Sequence, residues 1–213
     1  MNLIFLGPPG VGKGTHAMHV SEYYGIPKIS TGEIFREEIK KESEIGKKVK
    51  GYLEKGVLVP NEITIKILKK RLEKPDCKKG FILDGFPRNL EQANALEKIT
   101  KIDLVVNFVL SRDVILKRIT NRLTCSKCQR VYNKIFDPPK VNGYCDVCGG
   151  KLYVREDQKP EIVNKRLDIY EKETKPLIEY YKKKGILIDF NCDGTVEEVR
   201  KRIINLLKKY FKQ

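Results

Sequence analysis

Apolar positions along the chain follow two periods. Four short runs of Ile, Val, Leu and Phe occupy residues 3–6, 80–83, 104–109 and 186–190, with a briefer one at 27–29. Helical spacing fills the intervals at 12–24, 33–40, 45–55, 62–73, 90–98, 113–122, 161–184 and 196–211. Runs that are apolar at consecutive positions suit strands buried on both faces. Strands alternating with helices predict an α/β fold with a parallel five-stranded sheet flanked by helices. Asn61 after Pro60 and Thr195 after Gly194 read as helix starts.

Two stretches break the alternation. Residues 31–60 read as helices with no strand between them, a small helical insertion. Residues 123–158 carry two Cys pairs, Pro138-Pro139, Gly149-Gly150 and the β-prone run Arg130-Val131-Tyr132, which reads as a separate lobe set into the α/β core. A chain of 213 residues can hold one sizeable core with such lobes attached.

Composition narrows the classes. The apolar start at residues 1–6 meets Gly7 at once, with no basic region before it and no cleavage site after it, so it does not read as a signal peptide. No apolar stretch reaches the eighteen or so residues of a membrane span, so a cytoplasmic protein with no membrane partner is expected. The net charge of +15 raises a nucleic-acid reading, but Lys and Glu are interleaved throughout and form no basic block. A solvated surface, also seen in heat-adapted or AT-rich proteomes, explains the charge, and no nucleic-acid partner is expected.

The strongest motif is Gly7-Pro8-Pro9-Gly10-Val11-Gly12-Lys13-Gly14-Thr15, between a strand and a helix. Glycines let backbone N–H groups turn inward around an anion, the helix start adds its dipole, and Lys13 supplies a mobile charge for β- and γ-phosphates. Gly14 stands where a Ser or Thr usually follows the lysine, and Thr15 comes one place late. Direct metal ligation by a hydroxyl is therefore left open. His16 and His19 on the following helix read as packing or surface residues.

A phosphate loop leaves the acceptor open. Asp84-Gly85-Phe86-Pro87-Arg88 closes a second buried strand with an acid, a turn and an arginine. Ligands gather at the carboxyl ends of such strands, and Asp84 there can hold Mg²⁺ or its waters, or serve merely as a turn-former. Only 11 of the 43 basic residues are Arg. Arg36 lies in the helical insertion, Arg118 and Arg122 enter the Cys lobe on what reads as one helix face, and Arg155 and Arg166 leave it. Planar guanidinium forks suit phosphoryl oxygens, so the set points to transfer between two phosphorylated ligands. No general base is evident, and phosphoryl transfer needs none.

Cys125, Cys128, Cys145 and Cys148 form two C-x₂-C pairs. That spacing suits a closed, structural zinc site, with a rubredoxin-like iron or free or disulfide-bonded thiols as alternatives. Cys77 and Cys192 stand alone and read as small core residues.

From residue 1 to about 208 these blocks resemble the adenylate kinases. The resemblance rests on residues 7–15, Ser30-Thr31-Gly32-Glu33 with Arg36, residues 56–62, Asp84 to Arg88 with Gln92, Arg118 and Arg122, Pro138-Pro139-Lys140, and Arg155 with Arg166. It implies a P-loop core (1–29, 61–121, 160–213), an AMP-binding lobe (30–60) and a zinc-bound β lid (122–159) of the long form. It also implies the reaction ATP + AMP ⇌ 2 ADP with Mg²⁺, in a monomer. Lys13, Arg88, Arg122, Arg155 and Arg166 would be catalytic. Gly10, Val11, Gly12, Lys13, Gly14, Thr15, Arg118 and Arg122 would bind ATP, with Arg118 stacked on the adenine. Thr31, Arg36, Val59, Gly85, Arg88, Gln92, Arg155 and Arg166 would bind AMP, and Asp84 would hold the magnesium shell. Within the family a kinase of another nucleotide pair is the alternative, such as GTP with AMP, or UMP/CMP, against which the long lid stands; a P-loop nucleic-acid ATPase with a zinc ribbon is a distant one. Two departures stand out: Gln158 replaces the second of two usual Asp residues after Arg155, and Glu33 replaces a commoner Asp.

Overall fold

The computed structural model describes residues 1–211; residues 212 and 213, which the sequence reading places in the core, lie outside the described residues. Strands β1 (Asn2–Leu6), β2 (Lys28–Ser30), β3 (Phe81–Asp84), β4 (Leu104–Val109) and β8 (Leu187–Asn191) form one sheet in the order β2-β3-β1-β4-β8. Every neighbouring pair in it is parallel. The expected five-stranded parallel sheet is therefore present, each strand within a residue or two of its expected place.

Residues along the central β1 alternate between two cores, as the two-residue period of a strand requires. Leu3 and Phe5 pack with Val20 of α1 (Lys13–Tyr24) and with Ile203 and Leu207 of α9 (Val196–Tyr210). Ile4 and Leu6 face the other side, with Leu68 of α4 (Asn61–Leu72), Leu96 of α5 (Leu90–Glu97) and Tyr181 of α8 (Pro176–Lys183). Thr195 starts α9 as expected: its hydroxyl accepts from the Glu198 N–H at 3.3 Å, and the Glu198 carboxylate accepts from the Thr195 N–H at 2.8 Å.

The first irregular stretch folds as a helical pair, α2 (Thr31–Lys40) and α3 (Glu44–Glu54), around Phe35, Val49 and Val59. A glycine at position 46 lets these helices touch, because a Cβ there would lie 2.2 Å from the Glu38 carbonyl oxygen. The second stretch builds an antiparallel sheet, β6-β5-β7, from β5 (Arg122–Cys125), β6 (Val131–Asn133) and β7 (Leu152–Tyr153). Among the described residues, no helix is long and apolar enough to cross a membrane.

Two expected helices are corrected. The one expected over 113–122 is α6 (Arg112–Thr120), so Arg122 begins β5 and does not share a helix face with Arg118. The stretch expected to be continuous over 161–184 is α7 (Pro160–Ile169), a π-helical turn at Tyr170–Thr174, then α8. Pro176 has no N–H and its ring crowds the preceding turn, so the ladder widens there. The Lys175 N–H reaches back five residues to the Tyr170 carbonyl at 2.8 Å.

Candidate active site

Parallel strands end on one edge of the sheet, and the site is built there. Register places Asp84 beside Phe5 of β1 and beside Ser30 of β2. Ser30 also starts α2, its hydroxyl accepting from the Glu33 N–H at 3.4 Å, so Glu33 sits harmlessly in the first turn. Between β1 and α1 the phosphate loop turns through Gly10 at φ 86° and Gly12 at φ 110°. A Cβ on Gly10 would also stand 2.3 Å from the Ile119 side chain, so the loop rests directly on α6.

Lys13 folds back over this loop, donating to the Gly7 and Pro8 carbonyls at 2.7 and 2.8 Å. Burial pulls its pKa down to about 8, against the opposing pull of Asp84, with Arg88 and Arg166 lowering it further. The departure at Gly14 has a steric reason: a Cβ there would lie 3.1 Å from Asp84 Oδ2. Glycine leaves the carboxylate room against the first turn of α1. A phosphate placed against Lys13 would restore its charge. If the loop holds a triphosphate, as its motif implies, kcat/KM for that ligand should fall as pH rises through about 8, because the free amine sheds its proton there. kcat should fall only at higher pH, where the bound enzyme titrates. Initial rates from pH 6 to 10 check this, and parallel profiles for the two parameters would contradict it.

Arg118, in the last turn of α6, donates to the Val11 carbonyl at 3.0 Å and the Cys192 carbonyl at 3.1 Å. Its guanidinium lies 5.8 Å from the centre of the Phe136 ring, which reaches the same cleft from the Cys lobe. Gly10, Gly12, Lys13, Gly14, Thr15, Arg118 and Arg122 line this cleft, which holds about 250 Å³. Val11 is fully buried, and its part is the carbonyl that Arg118 grips.

A smaller pocket of about 70 Å³ adjoins the cleft and is lined by Thr31, Arg36, Val59, Gly85, Arg88 and Gln92. Arg36, Arg88, Arg155 and Arg166 line both spaces, so four guanidiniums stand at their junction. Arg88 is held from several sides. Its Nε donates to the Gly85 carbonyl and its N–H to Gln92 Oε1, both at 2.8 Å, and its carbonyl accepts from Thr174 in the π turn at 2.8 Å. Gln92 is fixed in turn by Asn61 Oδ1 at 2.8 Å, so Asn61 braces the pocket instead of capping α4. Thr31 donates to the Gly85 carbonyl at 3.0 Å.

One acid organises the remaining cations. Asp157 accepts from Arg155 through both oxygens and from Arg166 Nη1 at 2.8 Å, with Arg122 Nη2 at 3.9 Å. Burial alone would raise its pKa, but Arg166, Arg155 and Arg122 outweigh that and hold it below the usual carboxylate range. The arginines are strained the other way. Burial, reinforced by Arg155, draws Arg36 down to about 10, and burial draws Arg166 to about 10 against the opposing charge of Asp157. Arg122 falls well below its usual value through burial and its Arg155 and Arg166 neighbours. Such crowding stores an electrostatic cost that a multiply charged anion would relieve. The sequence reading did not foresee the bracing of Gln92 by Asn61, of Arg88 by Thr174 and of Arg166 by Asp157, through bonds that span 31, 86 and 9 positions.

His16 is buried and stacked 6.1 Å from Phe108, and burial lowers its pKa to about 3, as a neutral packing residue requires. In the Cys lobe the four sulfurs lie within 4.8 Å of one another, with Cys125–Cys148 at 3.4 Å and Cys128–Cys145 at 3.6 Å. Both pairs form the same turn. The N–H of the residue just after each pair's second cysteine returns to the first cysteine's carbonyl: Gln129 to Cys125 at 3.1 Å and Gly149 to Cys145 at 2.9 Å. Gln129 and Gly149 both take the left-handed conformation, at φ 62° and 65°.

A parallel α/β sheet with a phosphate loop at its edge and a cationic junction between two spaces defines a P-loop phosphotransferase. The family described as Adenylate kinase matches residues 5–186. The chain is 54% identical to the adenylate kinase of Archaeoglobus fulgidus, over 98% of this chain and 99% of that one. It is 51% identical to the adenylate kinase of Thermosipho melanesiensis (98% and 100% covered) and 50% identical to that of Treponema denticola (93% and 95%). The chain belongs to the adenylate kinase family, and it is an enzyme of that phosphotransferase class.

Proposed function

We propose that the protein catalyses ATP + AMP ⇌ 2 ADP, with ATP in the P-loop cleft and AMP in the smaller pocket. The observation that carries this reading is the junction, where Arg36, Arg88, Arg155 and Arg166 face both spaces. An AMP phosphate oxygen attacks the γ-phosphorus, and the bond from that phosphorus to the β,γ-bridging oxygen breaks. Lys13 and the loop N–H groups hold the β- and γ-phosphates, while Arg122, Arg155 and Arg166 take up the charge spread over the moving group. Arg36 and Arg88 hold the AMP phosphate, Thr31, Val59, Gly85 and Gln92 line its adenosine pocket, and Arg118 stacks on the ATP adenine. The attacking oxygen is already ionised, so no base is required. Asp84 would hold the magnesium shell, a hard oxygen donor beside the loop that suits that cation. When bound, Mg²⁺ would offset phosphate charge.

The reading includes its domains: a core (1–29, 61–121, 160–213), an AMP lobe (30–60) and a lid (122–159), with both lobes closing over the nucleotides in a monomeric, cytoplasmic enzyme. In the lid the four thiolates would hold one structural Zn²⁺. Bonds of 2.3 Å at tetrahedral angles put sulfurs about 3.8 Å apart, near the spacings found. Purified protein with Mg²⁺, ATP and AMP is expected to yield ADP alone, and ADP alone to disproportionate. A panel of ATP and GTP against AMP, GMP, CMP and UMP tests it. Faster use of CMP or UMP than AMP overturns the acceptor, and faster use of GTP overturns the donor.

A further inference from the structure

Gln158 is 4% exposed, and both ends of its amide are engaged. Its Oε1 accepts from Arg122 Nε at 3.0 Å. Its Nε2 donates to the Arg122 carbonyl at 2.9 Å and to the Ile119 carbonyl at 3.3 Å. The amide thus ties the end of α6 to the start of β5, at the break that separates Arg118 from Arg122. Arg122 Nη2, in contrast, is buried without a hydrogen-bond partner, and its nearest acid oxygen, on Asp157, is 3.9 Å away.

A carboxylate could accept from Arg122 but has no N–H to give, so the two carbonyls would face an anion. It would also neutralise the guanidinium. Asp157 already serves Arg155 and Arg166, and a second acid beside it would leave two negative charges among three arginines. An uncharged amide aims the side chain and leaves its charge unspent.

We propose that Gln158 is a positioning residue for Arg122: its amide fixes the guanidinium through Nε and the backbone while leaving its full positive charge uncancelled for the transferring phosphoryl group. The inference rests on the kinase reading, and it predicts that orientation and charge can be separated by substitution. Arg122 lines the larger cleft and not the smaller pocket, so KM for AMP serves as an internal control.

Gln158→Glu and Gln158→Leu are made in the full chain, and Tm, kcat and both KM values are measured. Gln158→Leu strips the Arg122 carbonyl and Arg122 Nε of their Gln158 partner and leaves the Ile119 carbonyl only the Asn121 N–H, without adding charge, so it should show the lower Tm. Gln158→Glu should show the lower kcat, down roughly tenfold, because one donor's charge is cancelled but not removed. Its KM for AMP should stay within about twofold. A merely structural role makes kcat follow Tm in both variants. That order, or a Gln158→Glu kcat within about twofold of the unaltered enzyme, overturns the proposal. The unaltered enzyme in the same assay tests the kinase reading separately: if it makes no ADP, that reading fails first.

Discussion

Alanine at Arg88 is expected to cut turnover with AMP by roughly 10²–10³-fold, the usual cost of losing one preorganised donor to a developing charge. Three features make the effect large. The side chain faces both spaces, so under the proposed reaction it would meet the AMP phosphate before transfer and the moving group during it. It is buried, so its pKa is lowered and its charge acts with little water to screen it. Its Nε is held by the Gly85 carbonyl and its backbone by Gln92 and Thr174, so little reorganisation is needed when the nucleotide arrives. Lysine at the same position would keep the charge and lose the fork, and should recover only part of the rate. Lys13→Met gives the contrast. Lys13 lines the larger cleft and not the smaller pocket, so its loss should impair transfer to every acceptor while KM for AMP changes little. Steady-state kinetics with AMP varied at saturating ATP separate the two. Near-normal kcat/KM for AMP in Arg88→Ala would remove Arg88 from the site.

How much of this was legible depended on whether the cause was local. Strands buried on both faces must be apolar at consecutive positions, so β1, β3 and β4 announced themselves. The phosphate loop was equally plain, because inward N–H groups demand glycine at φ values such as those of Gly10 and Gly12. The two cysteine turns repeat one local geometry and therefore one spacing.

Where a distant partner decided the outcome, the chain gave no sign. Helical spacing runs on past Thr120, yet Arg122 leaves α6 because residues 122–124 pair with 131–133. Pro176 is visible in the sequence, but nothing nearby says that the helix widens into a π turn instead of ending. Only the Thr174 bond to Arg88, 86 positions away, shows what that turn supports. Gln158 looked like a lost acid. Its three bonds, to residues 36 and 39 positions earlier, give the amide a purpose that no local pattern could carry.

Removing the metal from the Cys lobe should cost stability and largely spare the chemistry. The lobe's own core is Leu123, Tyr132 and the buried Cys125 and Cys145, with Leu152 and Cys148 at its edge. Apolar burial on that scale is small for an independent sheet, and the proposed cross-link of four thiolates by zinc would supply the difference. Cys145 is well built into the lobe, 3% exposed, with the Tyr132 hydroxyl 3.3 Å from its sulfur and that hydroxyl oxygen accepting from the Asp146 N–H at 2.9 Å. Four protein ligands saturate a tetrahedral zinc ion, which then has no position left for water or phosphate. One zinc per chain is expected, with a lower Tm after chelation or Cys145→Ser. At a temperature where the zinc-free protein stays folded, kcat should remain within roughly tenfold of normal, the remaining loss reflecting a looser lid. Metal content, Tm and kcat are to be read on the same preparations. A kcat that falls in proportion to zinc while the fold and Mg²⁺ supply are intact would make the metal a participant in transfer, and a protein that binds no zinc would leave the lobe's stability without its cross-link.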